Sequence, residues 1–189
     1  MPKTSKKQLI NVSTKTGDKG ESGLADGRRV AKYSLVFTAL GDIDELNSWI
    51  GLVVAGMEDV RFKQERAVLR QVQEQLFYVG AEVAASPTTK LAAEALGMIE
   101  SESEKLQGSM GEDWTTKFLM PGGSMLGGYC DLARAVCRRA ERSVAAYGAE
   151  GTISPLVRQY MNRLSDYLYV LRCFVNQELA VKEKQFIKK

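Results

Sequence analysis

S-P-L-V-R-Q-Y-M-N-R-L-S-D-Y-L-Y-V-L-R-C-F-V-N-Q-E-L, Ser154 to Leu179, is the segment on which the architecture turns. Leu156, Tyr160, Leu164, Leu168, Leu171, Val175 and Leu179 return at steps of three and four. That period lays them along one face of a helix of about 3.6 residues per turn. Ser154 is a natural N-cap, and Pro155 suits the first helical position, where its missing N–H is no loss. The spacing predicts a helix from Pro155 towards Lys182.

The same period recurs upstream. Leu40, Ile43, Leu46, Ile50, Val53 and Val54 form one stripe, with Asp42 and Glu45 spaced as a capping box. Leu69, Val72, Leu76, Val79 and Val83 mark a second helix over about 59–85, which Ser86-Pro87 stops. An acidic helix is expected over about 91–106 and a long one over about 129–147. No alternating run is long enough for a sheet, and no internal repeat is visible. Four or five helices with short connections read as an all-α, up-and-down bundle. Residues 1–12 read as a loose basic tail, and 13–189 as one domain.

Composition narrows the chemistry. The 189 residues are 44% hydrophobic and 26% charged, ordinary for a water-soluble domain. No stretch approaches the roughly 20 apolar residues a membrane span needs, and no secretory signal is recognisable, so a cytoplasmic enzyme is expected. A net charge of +3 with interspersed signs does not argue for nucleic acid. Cys130, Cys137 and Cys173 make neither a disulfide framework nor a zinc pattern, and read as reduced and buried. The chain contains no histidine. Ser-His-Asp and Cys-His catalysis are thereby excluded, as is the Glu-x-x-His ligand pattern of di-iron bundles. What remains is Arg, Lys, carboxylates, Asn and hydroxyls.

Three groups of such residues stand out. Arg134, Arg138 and Glu141 follow i, i+4, i+7 and share a narrow stripe, while Leu132, Val136, Ala140 and Val144 occupy the opposite side. The stripe is either a solvated charged face or a grip for phosphate oxygens, which guanidinium forks fit bidentately. The loop Thr14-Lys15-Thr16-Gly17-Asp18-Lys19-Gly20 has the composition of a phosphate cradle but lacks Walker A spacing, and taken alone such a loop is more often just a turn. Asp44 with Asn47, and Asn162 with Asp166, sit at the margins of apolar stripes. They suit an interhelix network as well as a substrate site.

Six segments in order carry a more specific signal. They are T-K-T-G-D-K-G (Thr14–Gly20), R-R-V-A-K (Arg28–Lys32), G-D-I-D-E-L-N (Gly41–Asn47), F-L-M-P-G-G (Phe118–Gly123), A-R-A-V-C-R-R-A-E-R (Ala133–Arg142) and N-R-L-S-D-Y-L (Asn162–Leu168). Together they resemble the PduO-type ATP:cob(I)alamin adenosyltransferases. The resemblance implies a five-helix bundle assembled as a homotrimer with ATP between subunits. It implies transfer of the 5′-deoxyadenosyl group of ATP to the cobalt of reduced cobalamin, with Mg²⁺ on the triphosphate. On that model Thr14, Lys15, Thr16, Gly17, Asp18, Gly20, Arg28 and Lys32 bind ATP, together with Arg138, Glu141 and Asn162. Asp44 and Arg134 pair at the corrinoid side, Phe118 presses on the lower corrin face, and no direct protein ligand for a metal is assigned. A reductase and a client mutase are the implied partners.

Two segments depart from the family pattern. Glu21-Ser22-Gly23-Leu24 replaces small hydroxyl residues, and Tyr129-Cys130-Asp131 stands where a histidine is common. The first bears on the phosphate loop, the second on the corrinoid pocket. Rival readings are an ATP-binding regulatory bundle without a corrinoid, and a chaperone that hands adenosylcobalamin to its client with little turnover.

Overall fold

The computed structural model describes residues 15–111, 114, 118–149 and 153–187; the basic tail over 1–12 and Thr14 lie outside these. Five helices dominate: α1 Leu35–Gly56, α2 Lys63–Val83, α3 Glu94–Ser109, α4 Met125–Gly148 and α5 Pro155–Glu178. Helix α4 packs along both α1 and α5, α3 lies against α5, and α2 against α1. The apolar stripes read from sequence meet between them. Ile43, Leu46, Ile50, Leu69, Val72, Leu76, Leu164, Leu168 and Leu171 are all buried in one contiguous core. Each such side chain contributes about 1.5–3 kcal/mol relative to exposure.

Capping sets the starts. Ser154 and Ser124 accept the backbone N–H of Val157 and Gly127 at 3.4 and 2.9 Å, satisfying donors that the first turn leaves free. Helix α1 begins at Leu35, after Ser34, so Asp42 and Glu45 lie about two turns inside it rather than at its end. They are not a capping box. Their carboxylates reach across to Arg139 on α4, at 3.0 Å for Asp42, and Asp42 also accepts the Ser143 hydroxyl. Helix α2 is preceded by a separate 3₁₀ turn, Val60–Phe62, capped by Asp59. It ends at Val83, ahead of Pro87, through Ala85 in the left-handed region.

Three further differences have local causes. Glu21–Gly23 (β1) and Arg29–Ala31 (β2) form an antiparallel hairpin, too short at three residues each to show alternation in sequence. Leu132 is 45% exposed instead of buried. The buried side of α4 runs through Cys130, Ala133, Cys137, Ala140 and Val144, and Leu132 falls off its axis. Helix α5 is buried well beyond its expected face, with Val157, Met161, Tyr167, Val170, Arg172 and Asn176 also inside, because α3 and α4 both pack on it.

Candidate functional site

Where α3, α4 and α5 meet, the bundle opens into a cleft of about 380 Å³ lined by Arg134, Arg138, Ser103, Gln107, Ser165, Asp166, Tyr169 and Val170. The helical period puts both arginines there from α4, four residues apart. Arg134 is half-buried; its Nε stands 3.8 Å from an Asp131 oxygen, beyond hydrogen-bond range, and is buried without a hydrogen-bond partner. A buried guanidinium nitrogen left unpaired costs about 1–3 kcal/mol, so a missing acceptor is the economical explanation. Arg138 is exposed, and no carboxylate among the described residues forms an ion pair with it.

One turn further along, the Glu141 carboxylate accepts the Asn162 amide at 3.0 Å. Asn162 in turn accepts Arg163 Nη1 at 2.8 Å. The carboxylate is thereby fixed in orientation beside the two arginines, as a group that bridges to a cation or a ribose would need. Asp44 is exposed on α1, and its carboxylate enters no ion pair among the described residues; only its backbone carbonyl is used, by Ser48 at 3.0 Å. Asn47 packs on α2 instead, exchanging amide bonds with Gln73 at 3.4 and 3.3 Å.

The glycine-rich loop is built at another place. Lys15 stands at φ 58 and Gly20 at φ 82. The first is an uncommon conformation for a side-chain-bearing residue, held by a turn in which Asp18 N–H reaches Lys15 O at 3.4 Å. Lys32 N–H bonds Gly20 O at 2.8 Å, and its ammonium lies over Gly17, where a Cβ would come within 2.8 Å of it. Arg29 bonds Thr16 O at 2.8 Å. The Lys32 ammonium thus lies over the glycine turn, the kind of charge an anion cradle requires. Arg28 is occupied by Asp26 at 2.6 Å, an exposed pair in which Arg28 N–H and then the guanidinium hold Asp26 below its usual pKa. The hairpin docks on the end of α2 through Ala25 N–H to Ala84 O at 2.9 Å. Within one chain Lys15, Asp18, Arg28 and Lys32 make no bond to Arg134, Arg138, Glu141 or Asn162.

Phe118 is 84% exposed, on a strap running to Ser124 at the head of α4, and Asp131 links that strap at Gly122 N–H to Arg134. Sequence reasoning did not pick out Ser103, Gln107, Ser165 or Tyr169. A signal existed for two of them, since Asn162, Ser165 and Tyr169 follow i, i+3, i+7. Nothing in the acidic α3 pattern pointed to Ser103 and Gln107, which bond each other at 3.2 Å.

Residues 12–175 match the family model described as cobalamin adenosyltransferase. The chain belongs to the cobalamin adenosyltransferase family. It is 39% identical over 173 residues to a cobalamin adenosyltransferase of Cupriavidus metallidurans, covering 90% of each protein. To a corrinoid adenosyltransferase of Bacillus subtilis it is 36% identical over 181 residues, covering 94% of this chain and 92% of the relative. Among solved structures, a phenylalanine-to-alanine variant of a PduO-type ATP:corrinoid adenosyltransferase from Lactobacillus reuteri, complexed with cobalamin and ATP, superposes with TM-score 0.87. It is 25% identical, over 94% of this chain and 100% of that one. An arginine-to-lysine variant from the same organism, complexed with ATP, gives 0.85 at 27% identity, over 93% and 100%.

Proposed function

We infer that this chain transfers the 5′-deoxyadenosyl group of ATP to the cobalt of a reduced corrinoid and releases triphosphate. The observation that carries the reading is the α3–α4–α5 cleft, where a buried, unpartnered Arg134 Nε adjoins an unpaired Arg138. Arg138 has no resident anion, and Arg134 has only the long 3.8 Å pairing with Asp131, so both guanidiniums can still take anionic substrates. A solved PduO-type variant with the same fold is complexed with cobalamin and ATP.

The reaction is a displacement at C5′, with cobalt(I) as nucleophile and triphosphate as leaving group. A metal-centred nucleophile needs no protein base, which agrees with a chain free of histidine. The protein's contribution is position and field. Arg138, Lys15 and Lys32 stabilise charge gathering on the leaving triphosphate, and Glu141, oriented by Asn162, fixes the nucleotide. Thr16, Gly17, Asp18 and Gly20 supply the cradle's backbone, with Thr14 and Arg28 at its edges. Phe118, exposed on its strap, covers the lower corrin face. An axial ligand is kept from cobalt there, which eases reduction of cobalt(II).

Because the cradle and the cleft lie apart on one chain, we place ATP between the cradle of one subunit and the cleft of the next, in a homotrimer. Asp44, exposed and unpaired, supplies from a neighbouring subunit the acceptor that Arg134 Nε lacks. The described residues contain no group of three or more acidic or thiol side chains able to hold a metal. Glu141, held by Asn162 at 3.0 Å, is the carboxylate that would stand near Mg²⁺ carried on phosphate oxygens. Cytoplasmic location, a reductase and a client mutase belong to the same reading.

An anaerobic spectroscopic assay with ATP and chemically reduced cobalamin tests the function directly. Formation of the cobalt–carbon product is expected. Arg138→Ala should lower kcat/KM by about 10- to 150-fold, the equivalent of a charge-assisted contact of about 1.5–3 kcal/mol. Absence of product from the intact chain would overturn the reading.

A further inference from the structure

We propose that Arg172, with Asp131, Asn176 and Glu183, is a positioning unit that clamps strap 118–124 to segment 184–186 and so sets where Phe118 stands. Arg172 is 1% exposed, a guanidinium inside a helical bundle. Taking such a charge out of water is heavily unfavourable unless every donor is matched. Here they are matched, and the partners are informative. Nε donates to Asp131 at 3.2 Å, Nη2 to the carbonyls of Met120 at 2.7 Å and Gly122 at 3.4 Å, and Nη1 pairs with Glu183. Asp131 turns its other bond outward, accepting Gly122 N–H at 2.7 Å.

Asn176, one turn along α5, repeats the pattern. It is fully buried, donates to Gly122 O at 2.9 Å and Glu183 at 2.7 Å, and accepts from Ser124 N–H and hydroxyl at 3.0 and 2.7 Å. Were these two residues there to hold helix against helix, their partners would lie on helices. Apart from Asp131 and the neighbouring Cys173, they lie on the strap, its junction with α4, or the C-terminal segment. That segment closes the clamp from the other side. Phe186 N–H donates to Phe118 O at 2.7 Å, Met120 N–H to Lys184 O at 2.8 Å, and Leu119 bridges Gln185. Phe118 buries little of its ring, so these backbone bonds fix its place. Arg172 and Asn176 touch neither substrate; they act through the strap.

The inference rests on the role given to Phe118 above, and the test separates the two. Two variants of the full chain are compared with wild type: Glu183→Ala, which cuts the tail from the clamp, and the double variant Arg172→Met with Glu183→Gln, which removes both charges of that ion pair together and leaves Asp131 with Gly122 N–H and Arg134. Hydrogen exchange of the unliganded protein reads the clamp itself. Amides over 118–122 and 184–186 should exchange at least about tenfold faster, while those of α1 and α2 hold their protection. Turnover is then started from cobalt(II) with a reductant or from chemically reduced cobalt(I), with Phe118→Ala as reference. The clamp variants should lose at least about tenfold in the first assay, about threefold or less in the second, and keep their KM for ATP. Unchanged exchange over the strap overturns the proposal. So does faster exchange without the assay split in a background where Phe118→Ala shows it. If exchange rises and Phe118→Ala itself shows no split, the clamp stands and the role of Phe118 falls.

Discussion

Gly127 and Gly128 are adjacent in the first turn of α4, and alanine at each should shift stability in opposite directions. A methyl on Gly127 would stand 2.8 Å from Asn176 Nδ2 and 2.9 Å from Cγ, with Oδ1 nearer still, whereas a methyl on Gly128 meets nothing within 4 Å. Ordinary contact begins near 3.4 Å, so the buried amide would have to move by about half an ångström or more. Asn176 makes four hydrogen bonds, to Ser124 twice, Gly122 and Glu183. Loosening two of them costs about 1–3 kcal/mol in all, and overpacking a tight site costs about 1–3 kcal/mol more. Alanine's helical advantage over glycine returns at most about 1 kcal/mol. The clash wins, and Gly127→Ala should lose about 1–5 kcal/mol, lowering Tm by about 2–20 °C in a chain of this size. Gly128→Ala keeps only the backbone advantage and should gain about 0.5–1 kcal/mol. Urea unfolding of both variants beside wild type checks the pair. Equal shifts, or a Gly127→Ala protein as stable as wild type, would refute the packing argument.

Other perturbations give equally direct readings. Arg139→Ala removes a half-exposed link from α4 to Asp42 and Glu45 on α1. After allowance for solvent screening it should cost about 0.5–1.5 kcal/mol in denaturant unfolding while leaving the KM for ATP unchanged. Glu65 is buried, its Oε2 has no hydrogen-bond partner, and burial raises its pKa above the ordinary 4.5, with Glu102 and Glu178 adding like charge. The folded state therefore holds this proton more tightly than the unfolded chain, and its contribution, complete below the unfolded value, is lost as pH rises through the folded one. Glu65→Gln should accordingly gain stability relative to wild type between about pH 4 and pH 7, and a pH-independent difference in urea midpoints would contradict this. Burial pushes the Cys130 thiol up to about 12 and Cys137 higher still. Neither should react with iodoacetamide at neutral pH until the chain unfolds, which peptide mass spectrometry after native and denatured labelling would show.

The helices were legible because burial imposes a period on sequence. Leu69, Val72, Leu76, Val79 and Val83 sit inside as that period required. The arginine stripe of α4 was legible for the same geometric reason: Arg134 and Arg138 line one cleft, while Glu141, the third member of the stripe, does not line it. Partner choice was not legible. Asp42 looked like a cap and is instead tied to a helix 97 residues away in sequence. Arg172 was hidden in an apolar run, although its spacing from Leu168 and Val175 places a charge on a buried stripe. A charge in that position demands a partner without naming one, and Asp131 lies 41 residues away. The cradle and cleft could be read as separate groups, but no local pattern in the sequence bears on the meeting across subunits proposed for them.

Helix α5 carries Asn162 to Glu141, Ser165 and Asp166 into the cleft, and Arg172 and Asn176 under the strap. All are mounted on one unbroken rod, and ten residues at about 1.5 Å each put roughly 15 Å between Asn162 and Arg172. The helix is a ruler. Loops can lengthen without altering that interval, but a single residue inserted between the two marks would turn one of them by about 100° and swing it off its target. Length tolerance in this protein should therefore stop at the ends of α5.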